Sequence, residues 1–354
     1  MQGIAINAHM RPVTQVLFNN DGDLLFSVAK EPVVNVWYTK TGERLGSFDG
    51  HKAVAGCDVN FSSTLLATAG LDLKTILWDV QTGKQLTVVE QLSPCRAVGF
   101  SHDDRMLFAV CDKKMSQPAT IHFYHLPDSL GTKPVRTEFN PFVTYKDNDE
   151  SITCCIWGPT NQHVYFGTEK GTMVLLDVET QKEICTQFPH GDVINKLHFD
   201  ANYYTLVSAS KDHTAKLFDF RDIKSFQSYK SDLPVNDASI SPLADHVILA
   251  GGTEAQDVTT TGGQSKFEVK FYHKVQETLL GQVKCHFGTI NSVQFHPSGR
   301  GFASGAVDGF VKVYDFPRSY YQAVGHQPLF KHKSLILSNE DEDMDEAEED
   351  EVEE

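Results

Sequence analysis

Gly50-His51, then Leu65-Leu66-Ala67-Thr68-Ala69-Gly70-Leu71-Asp72, then Thr75-Ile76-Leu77-Trp78-Asp79 set out one complete copy of a pattern that returns along the whole chain. Its closing element, an aromatic or apolar residue followed by a polar one, recurs as Trp37-Tyr38, Trp78-Asp79, Tyr124-His125, Leu176-Asp177, Phe218-Asp219, Tyr272-His273 and Tyr314-Asp315. Successive copies lie 41, 46, 52, 42, 54 and 42 residues apart. The shortest intervals match the roughly 40–45 residues that four strands and their turns occupy, and the longer ones carry insertions. A histidine precedes the dipeptide by 28 residues at His9, 27 at His51 and 28 at both His190 and His286.

Each unit reads as β. Val13–Phe18, Leu24–Val28 and Val33–Trp37 are short apolar or alternating runs rich in β-branched and aromatic residues, divided by Asn20-Asp21-Gly22 and Lys30-Glu31-Pro32. A fourth strand follows over Gly42–Phe48. No stretch of the body keeps a helical period. Seven such units predict an all-β fold, a seven-bladed β-propeller of the WD-repeat type, in which radial four-stranded sheets leave only short, protected edges. Gly3–Asn7 precedes the first histidine and belongs to no complete unit, so it is expected to pair as the outer strand of the last blade. The expected division is a propeller over 1–325, a short extension over 326–337 and a disordered acidic tail over 338–354.

The 354 residues carry a formal charge of −16, but 12 of the 15 residues from Glu340 to Glu354 are acidic and none is basic, leaving about −4 on the rest. Like charges this dense repel and bury almost nothing, which predicts disorder in the tail. A weakly acidic body does not attract phosphate backbones at long range, so no direct nucleic-acid binding is expected. The first residues lack a basic start and an apolar run of signal length, and no window reaches the ~18 apolar residues of a membrane span. Seven scattered cysteines without CxxC spacing are expected to be reduced thiols in a cytoplasmic protein. Asn60-Phe61-Ser62 matches a glycosylation acceptor by chance on this reading.

WD-repeat proteins place a buried hydrogen-bonded tetrad where His51, Thr68, Asp72 and Trp78 stand here. His190, Ser208 and Asp212, and His286, Ser304 and Asp308, are the expected copies in the fifth and seventh units, with Phe218 and Tyr314 replacing the tryptophan. The set resembles a hydroxyl–His–Asp triad. However, buried aspartate and histidine need partners to offset desolvation, and a catalytic site is not repeated blade after blade. The third, fourth and sixth units lack both the histidine and the turn aspartate. His122 and His125 flank a strand dipeptide and are expected on opposite faces, which excludes joint metal binding, and Cys154 and Cys155 should divide in the same way. No GxxxxGK[ST], GxSxG, HExxH or kinase-type motif is present, so no catalytic residue, metal or cofactor is expected. Ser338, before Glu340-Asp341, suits an acidophilic kinase but reads more readily as a solvated tail serine.

Gly22–Lys30, Val34–Tyr38 with Gly42–Gly46, Gly251–Thr261, Phe267–His273, Asp308–Phe310 and Ser319–Tyr321 together resemble the i subunit of eukaryotic translation initiation factor 3 over about residues 3–325. The Glu254–Thr261 segment is the most specific part, because a propeller scaffold does not demand it. The resemblance implies a non-catalytic scaffold subunit that docks a C-terminal helix of the b subunit on the fifth and sixth blades, and also the g subunit. Its contact with the small ribosomal subunit is then indirect. Leu217 and Asp219 match the apolar and acidic contact positions, with Leu217 expected to be exposed. A second acidic contact in the preceding turn is replaced here by Asn202. Asp219 also reads as a plain strand-end turn residue. The competing readings are a WD-repeat adaptor of a ubiquitin ligase or signalling assembly, and an enzyme built on a propeller.

Overall fold

The structure is a computed structural model that describes residues 2–114, 117–126, 140–147, 150–252, 267–317 and 320. The segment Glu254–Thr261, Ser338 and the acidic tail lie outside the described residues. Among those described, seven antiparallel four-stranded sheets account for all the strands. Blade one comprises Val13–Phe18, Leu24–Ala29, Val33–Tyr38 and Glu43–Asp49, close to the four runs read from the sequence. The third strand of every blade ends on one of the seven recurrent dipeptides.

The inner strands Val13–Phe18, Val54–Val59, Cys95–Phe100, Ile152–Trp157, Ile194–Phe199, Val235–Ile240 and Ile290–Phe295 each contact the next, and the last returns to the first. This closes a seven-bladed propeller. The closing sheet is composite: Gln2–Asn7 pairs antiparallel with Phe310–Asp315, from Gln2 opposite Asp315 to Asn7 opposite Phe310. The N-terminal strand is therefore the outer strand of blade seven, as expected. The propeller unit ends at Phe316. In the second unit, which begins at Pro317, the Tyr320 amide donates to the Pro317 carbonyl at 2.9 Å.

Two local irregularities repeat. Every pairing of inner with second strand shifts register just after its first residue, between Val13 and Gln15, Val54 and Gly56, and so on to Ile290 and Ser292. Such bulges increase the local right-handed twist, which a radial blade needs. The outer strands of blades one, two, four, five and six carry a second bulge, and the extra residue is Leu45, Leu86, Ile184, Phe226 or Leu280. The bulge turns an apolar side chain toward the rim and interrupts an edge that would otherwise template pairing.

Burial follows from position in the wheel. The second and third strands are covered on both faces by neighbouring blades, so they read Leu66, Ala67, Ala69 or Ile76, Leu77, Trp78 without alternation. Cys154 packs with Tyr165 and Met173 on one side, while Cys155 packs against the cluster of Phe166 and Trp157 on the other. Polar side chains stitch adjacent blades at the channel: Asn195, Asn236 and Asn291 donate to the carbonyls of Val235, Ile290 and Val13 at 2.8, 3.0 and 2.7 Å. Asn60 is buried and its amide donates to Ser62, Thr64 and Asp104, so it has no room for a glycan.

Candidate functional site

Blade two shows how the sequence builds the repeated polar cluster. His51 lies in the loop before the inner strand, Thr68 on the second strand, Asp72 in the following turn and Trp78 near the end of the third. His51 Nδ1 stands 2.9 Å from Asp72 Oδ1, and its Nε2 is 2.8 Å from Thr68 Oγ1. The Trp78 indole donates to the same Thr68 oxygen at 2.9 Å, and the Lys52 amide donates to Asp72 Oδ2 at 3.0 Å. The Thr68 hydroxyl is fully buried and saturated, so no substrate atom can approach it.

Blade five brings His190 to 2.8 Å from Asp212 and 2.6 Å from Ser208, and blade seven brings His286 to 3.1 Å from Asp308 and 2.9 Å from Ser304. Sequence reasoning missed a fourth copy in blade one. There His9 lies 3.0 Å from Glu31 and 2.9 Å from Ser27, and the Trp37 indole donates to Ser27 at 2.9 Å. The signal was present: Glu31 follows His9 by the same 22 residues that separate His190 from Asp212, but the search was for aspartate.

Burial alone would raise the carboxyls of Glu31, Asp72, Asp212 and Asp308. Hydrogen bonds from the paired histidine and from backbone amides outweigh it and hold all four below the usual carboxylate range. Burial also holds the imidazoles of His102, His122, His190, His246 and His296 below the usual value. Both effects act in one direction. An unfolded histidine takes up its proton near pH 6.5 and an unfolded carboxylate near pH 4, while the folded groups resist to lower pH. The contribution of these groups is thus full above about pH 7, declines first as pH falls through the histidine range, and falls again below about pH 4; among the described carboxyls Asp58 alone opposes it, since burial pushes its carboxyl up to about 7. Melting temperatures measured between pH 3.5 and 8 should show these two stages, and a flat profile from pH 7 to 5 would contradict neutral buried imidazoles.

His122 sits between the hydroxyls of Thr120 and Thr144 at 3.1 and 2.9 Å, while His125 stacks on Phe142 with ring centroids 3.9 Å apart. The two rings serve separate packing roles.

The partner site is expected on the fifth and sixth blades, and here the structure corrects one residue. Leu217 is not exposed. It is fully buried among Val207, Ala209, Tyr229 and Val235, because the third strand of a blade is covered from both sides. Leu217→Lys would bury an ammonium group and unfold the blade rather than probe a surface.

Asn202 is exposed in the turn between Ile194–Phe199 and Thr205–Ser210. Asp219 ends the third strand opposite Thr205, so the two positions share one end of blade five. The Asp219 carboxylate accepts from the Arg221 amide at 2.9 Å and lies 3.5 Å from the Arg221 guanidinium, while staying 44 % exposed. Asp219 therefore does fulfil a turn role.

Around it stand apolar groups that no spacing revealed: Tyr204, Phe226, Val275 and Leu279 are each more than half exposed. Tyr204 faces Phe220, with ring centroids 6.4 Å apart, and Arg221 lies over Phe220 at 5.5 Å. Blade six joins the same surface. Gln227 donates to the Val275 carbonyl at 3.0 Å, the Tyr229 hydroxyl to the Lys274 carbonyl at 2.6 Å, and Lys274 lies 3.7 Å from Asp200.

Among the described residues no helix is long and apolar enough to cross a membrane, and no group of three or more histidine, cysteine or acidic side chains is placed to hold a metal ion. The fold is similar to the β-propeller domain of Myceliophteria thermophila Cps50 (Swd1), with a TM-score of 0.71 and 17 % identity over 89 % of this chain and all of that one. Sequence likeness is far closer elsewhere. Eukaryotic translation initiation factor 3 subunit I of Bombyx mori is 39 % identical over 323 residues, which is 91 % of this chain and 97 % of that protein. The subunits I of Taeniopygia guttata and Homo sapiens are each 38 % identical over 325 residues, covering 91 % of this chain and 98 % of theirs. The family model EIF3I matches residues 1–324. With seven closed blades and a match along the full propeller, the chain belongs to the EIF3I family of translation initiation factor 3 subunits.

Proposed function

We propose that this chain is a non-catalytic, cytoplasmic scaffold subunit of translation initiation factor 3. It would hold a C-terminal helix of the b subunit, and also the g subunit, while the factor acts on the small ribosomal subunit. One observation carries the placement of the helix: Tyr204, Phe226, Val275 and Leu279 lie exposed beside the carboxylate of Asp219 where blades five and six abut. A helix with aromatic and basic anchors is the complement of that surface, since apolar side chains supply the burial and the carboxylate fixes the orientation. The four histidine clusters support the non-catalytic reading, because each hydroxyl is buried and engaged by its own blade.

With Leu217 interior, the decisive variant is Phe226→Asp combined with Asp219→Asn, which removes the charge and keeps an acceptor for the Arg221 amide. Captured on a peptide from the b subunit's C-terminal end, it should bind at least tenfold more weakly than the unaltered chain, with a melting temperature within about 2 °C because both side chains are solvent-facing. Undiminished capture would move the helix to another surface. Failure of the unaltered chain to co-sediment with small ribosomal subunits or the b subunit in a lysate would end the scaffold reading itself.

A further inference from the structure

The end of the propeller that carries the histidine loops is chemically unlike the end that carries Asp219. Its acids are turned inward. Glu31, Asp72 and Asp308 accept hydrogen bonds from the ring nitrogens of His9, His51 and His286. They also accept from the backbone amides of Met10, Arg11, Lys52 and Phe287. Their side chains are only 20, 7 and 13 % exposed.

The cations of the same loops are turned outward. Arg11, Lys30 and Lys52 are exposed and Lys312 half-buried, and none pairs with a carboxylate among the described residues. The exposed acids at this end of blades one and two, Asp49 and Glu90, stand at the ends of outer strands, Glu90 opposite Lys74. The tetrads thus consume negative charge that would otherwise balance this rim.

Large apolar side chains share the surface. Met10 is fully exposed, Phe287 is 90 % exposed, and Leu71 and Val307 are partly so. Lys312 lies over the Phe287 ring at 5.9 Å, a cation–π distance. The loops that bear these groups are contiguous. The amides of Ala8 and His9 donate to the Gly309 carbonyl, Val307 donates to Thr289, Val54 donates to Glu31 and Leu71 donates to Ala53. A Cβ on Gly309 would lie 2.2 Å from the His9 carbonyl, so blades seven and one meet here through bare backbone. The result is one arc across blades seven, one and two in which exposed apolar anchors alternate with unpaired cations, an arrangement soluble proteins rarely leave uncovered.

We propose that this arc is a docking surface for an acidic segment of a partner protein that carries large apolar residues among its carboxylates. A second copy of this chain is the wrong occupant: arc against arc would meet its own positive charge, and the acidic run Glu340–Glu354 holds no leucine or aromatic residue to engage the apolar anchors. Nucleic acid fits less well: Phe287 is the one exposed ring among these anchors, Met10, Val307 and Leu71 offer no stacking plane for successive bases, and the cations are dispersed between them rather than tracking a phosphate backbone. The site lies at the opposite end of the strands from Asp219 and does not depend on the proposed grip on the b subunit.

The test uses the full chain to select peptides from a displayed library of random 12-residue sequences, after depletion on a Lys30→Glu, Lys52→Glu variant. Selected peptides should be enriched in aspartate and glutamate around leucine, phenylalanine or tryptophan. Their affinity should fall at least tenfold in the lysine variant and in Met10→Ser, Phe287→Ser, and should weaken as salt rises. Circular dichroism melts of both variants should match the unaltered chain. The proposal is overturned if the selected peptides show no acidic enrichment, if they bind the variants as well as the unaltered chain, or if a 20-nucleotide single-stranded RNA binds with the same variant sensitivity while the peptides do not.

Discussion

Deletion of residues 1–7 should lower the apparent melting temperature by roughly 4–6 °C and leave a protein prone to self-association. The removed strand contributes Ile6, buried in the cluster of Val13, Trp37, Val311 and Val313, and it also covers the aromatic pair of Tyr314 on Phe302 through Gly3. Burying one isoleucine stabilises by about 2–3 kcal/mol, and the six-residue ladder with Phe310–Asp315 adds net hydrogen bonding of about 1 kcal/mol per bond before the ordering cost of the strand. Ordering six residues costs about as much as the ladder bonds return, so the remainder is the buried isoleucine, about 2–3 kcal/mol, at roughly 2 °C per kcal/mol in a domain of this size. The bared edge of Phe310–Asp315 is then a template for another chain. Scanning fluorimetry at a fixed heating rate reads the first effect and light scattering the second. A truncated chain that melts with the unaltered one would show that blade seven holds without its fourth strand.

The second large effect separates blade two from blade five. Thr68→Val keeps the shape of the side chain and removes a hydroxyl that serves both His51 and the Trp78 indole, stranding two buried polar groups. Each stranded group costs about 1–3 kcal/mol, so a loss of about 3–5 kcal/mol is expected. Ser208→Ala in blade five strands only His190, because Phe218 has no N–H to donate, and should cost about half as much. Thermal melts of the two variants side by side give the ratio. Equal losses would mean that the indole bond adds nothing, and that the tryptophan acts in packing alone.

Much of the wheel was legible in the sequence because its information is periodic. The dipeptides mark third-strand ends, and the near-constant interval from histidine to dipeptide reflects one fixed path through a blade. Even the stray N-terminal strand was legible by subtraction, since Gly3–Asn7 precedes the first histidine and belongs to no complete unit.

The errors came from positions where period and environment part company. In a free-standing sheet a leucine two residues from an exposed aspartate would share its face. In a blade both faces of the third strand are buried by neighbours, so Leu217 is interior and Asp219 is solvent-facing only because it ends the strand. Glu31 was missed because one extra methylene leaves the hydrogen bond to His9 intact while changing the letter. The apolar surface of blades five and six was invisible for another reason. Phe226 belongs to an outer-strand bulge and Val275 to a turn, and only the packing of one blade on the next brings them together.

The closing sheet also sets a schedule. Its outer strand is made before every other described strand, yet its mate, Phe310–Asp315, is the last of them. At about 5–20 residues per second the first strand waits on the order of 15–60 seconds for it. During synthesis the wheel is a growing open arc whose leading end stays unmatched, and completion is a single late event that seals all seven blades at once. A premature stop anywhere before Phe310 therefore yields not a smaller wheel but an unsealed one, whose first strand has no mate.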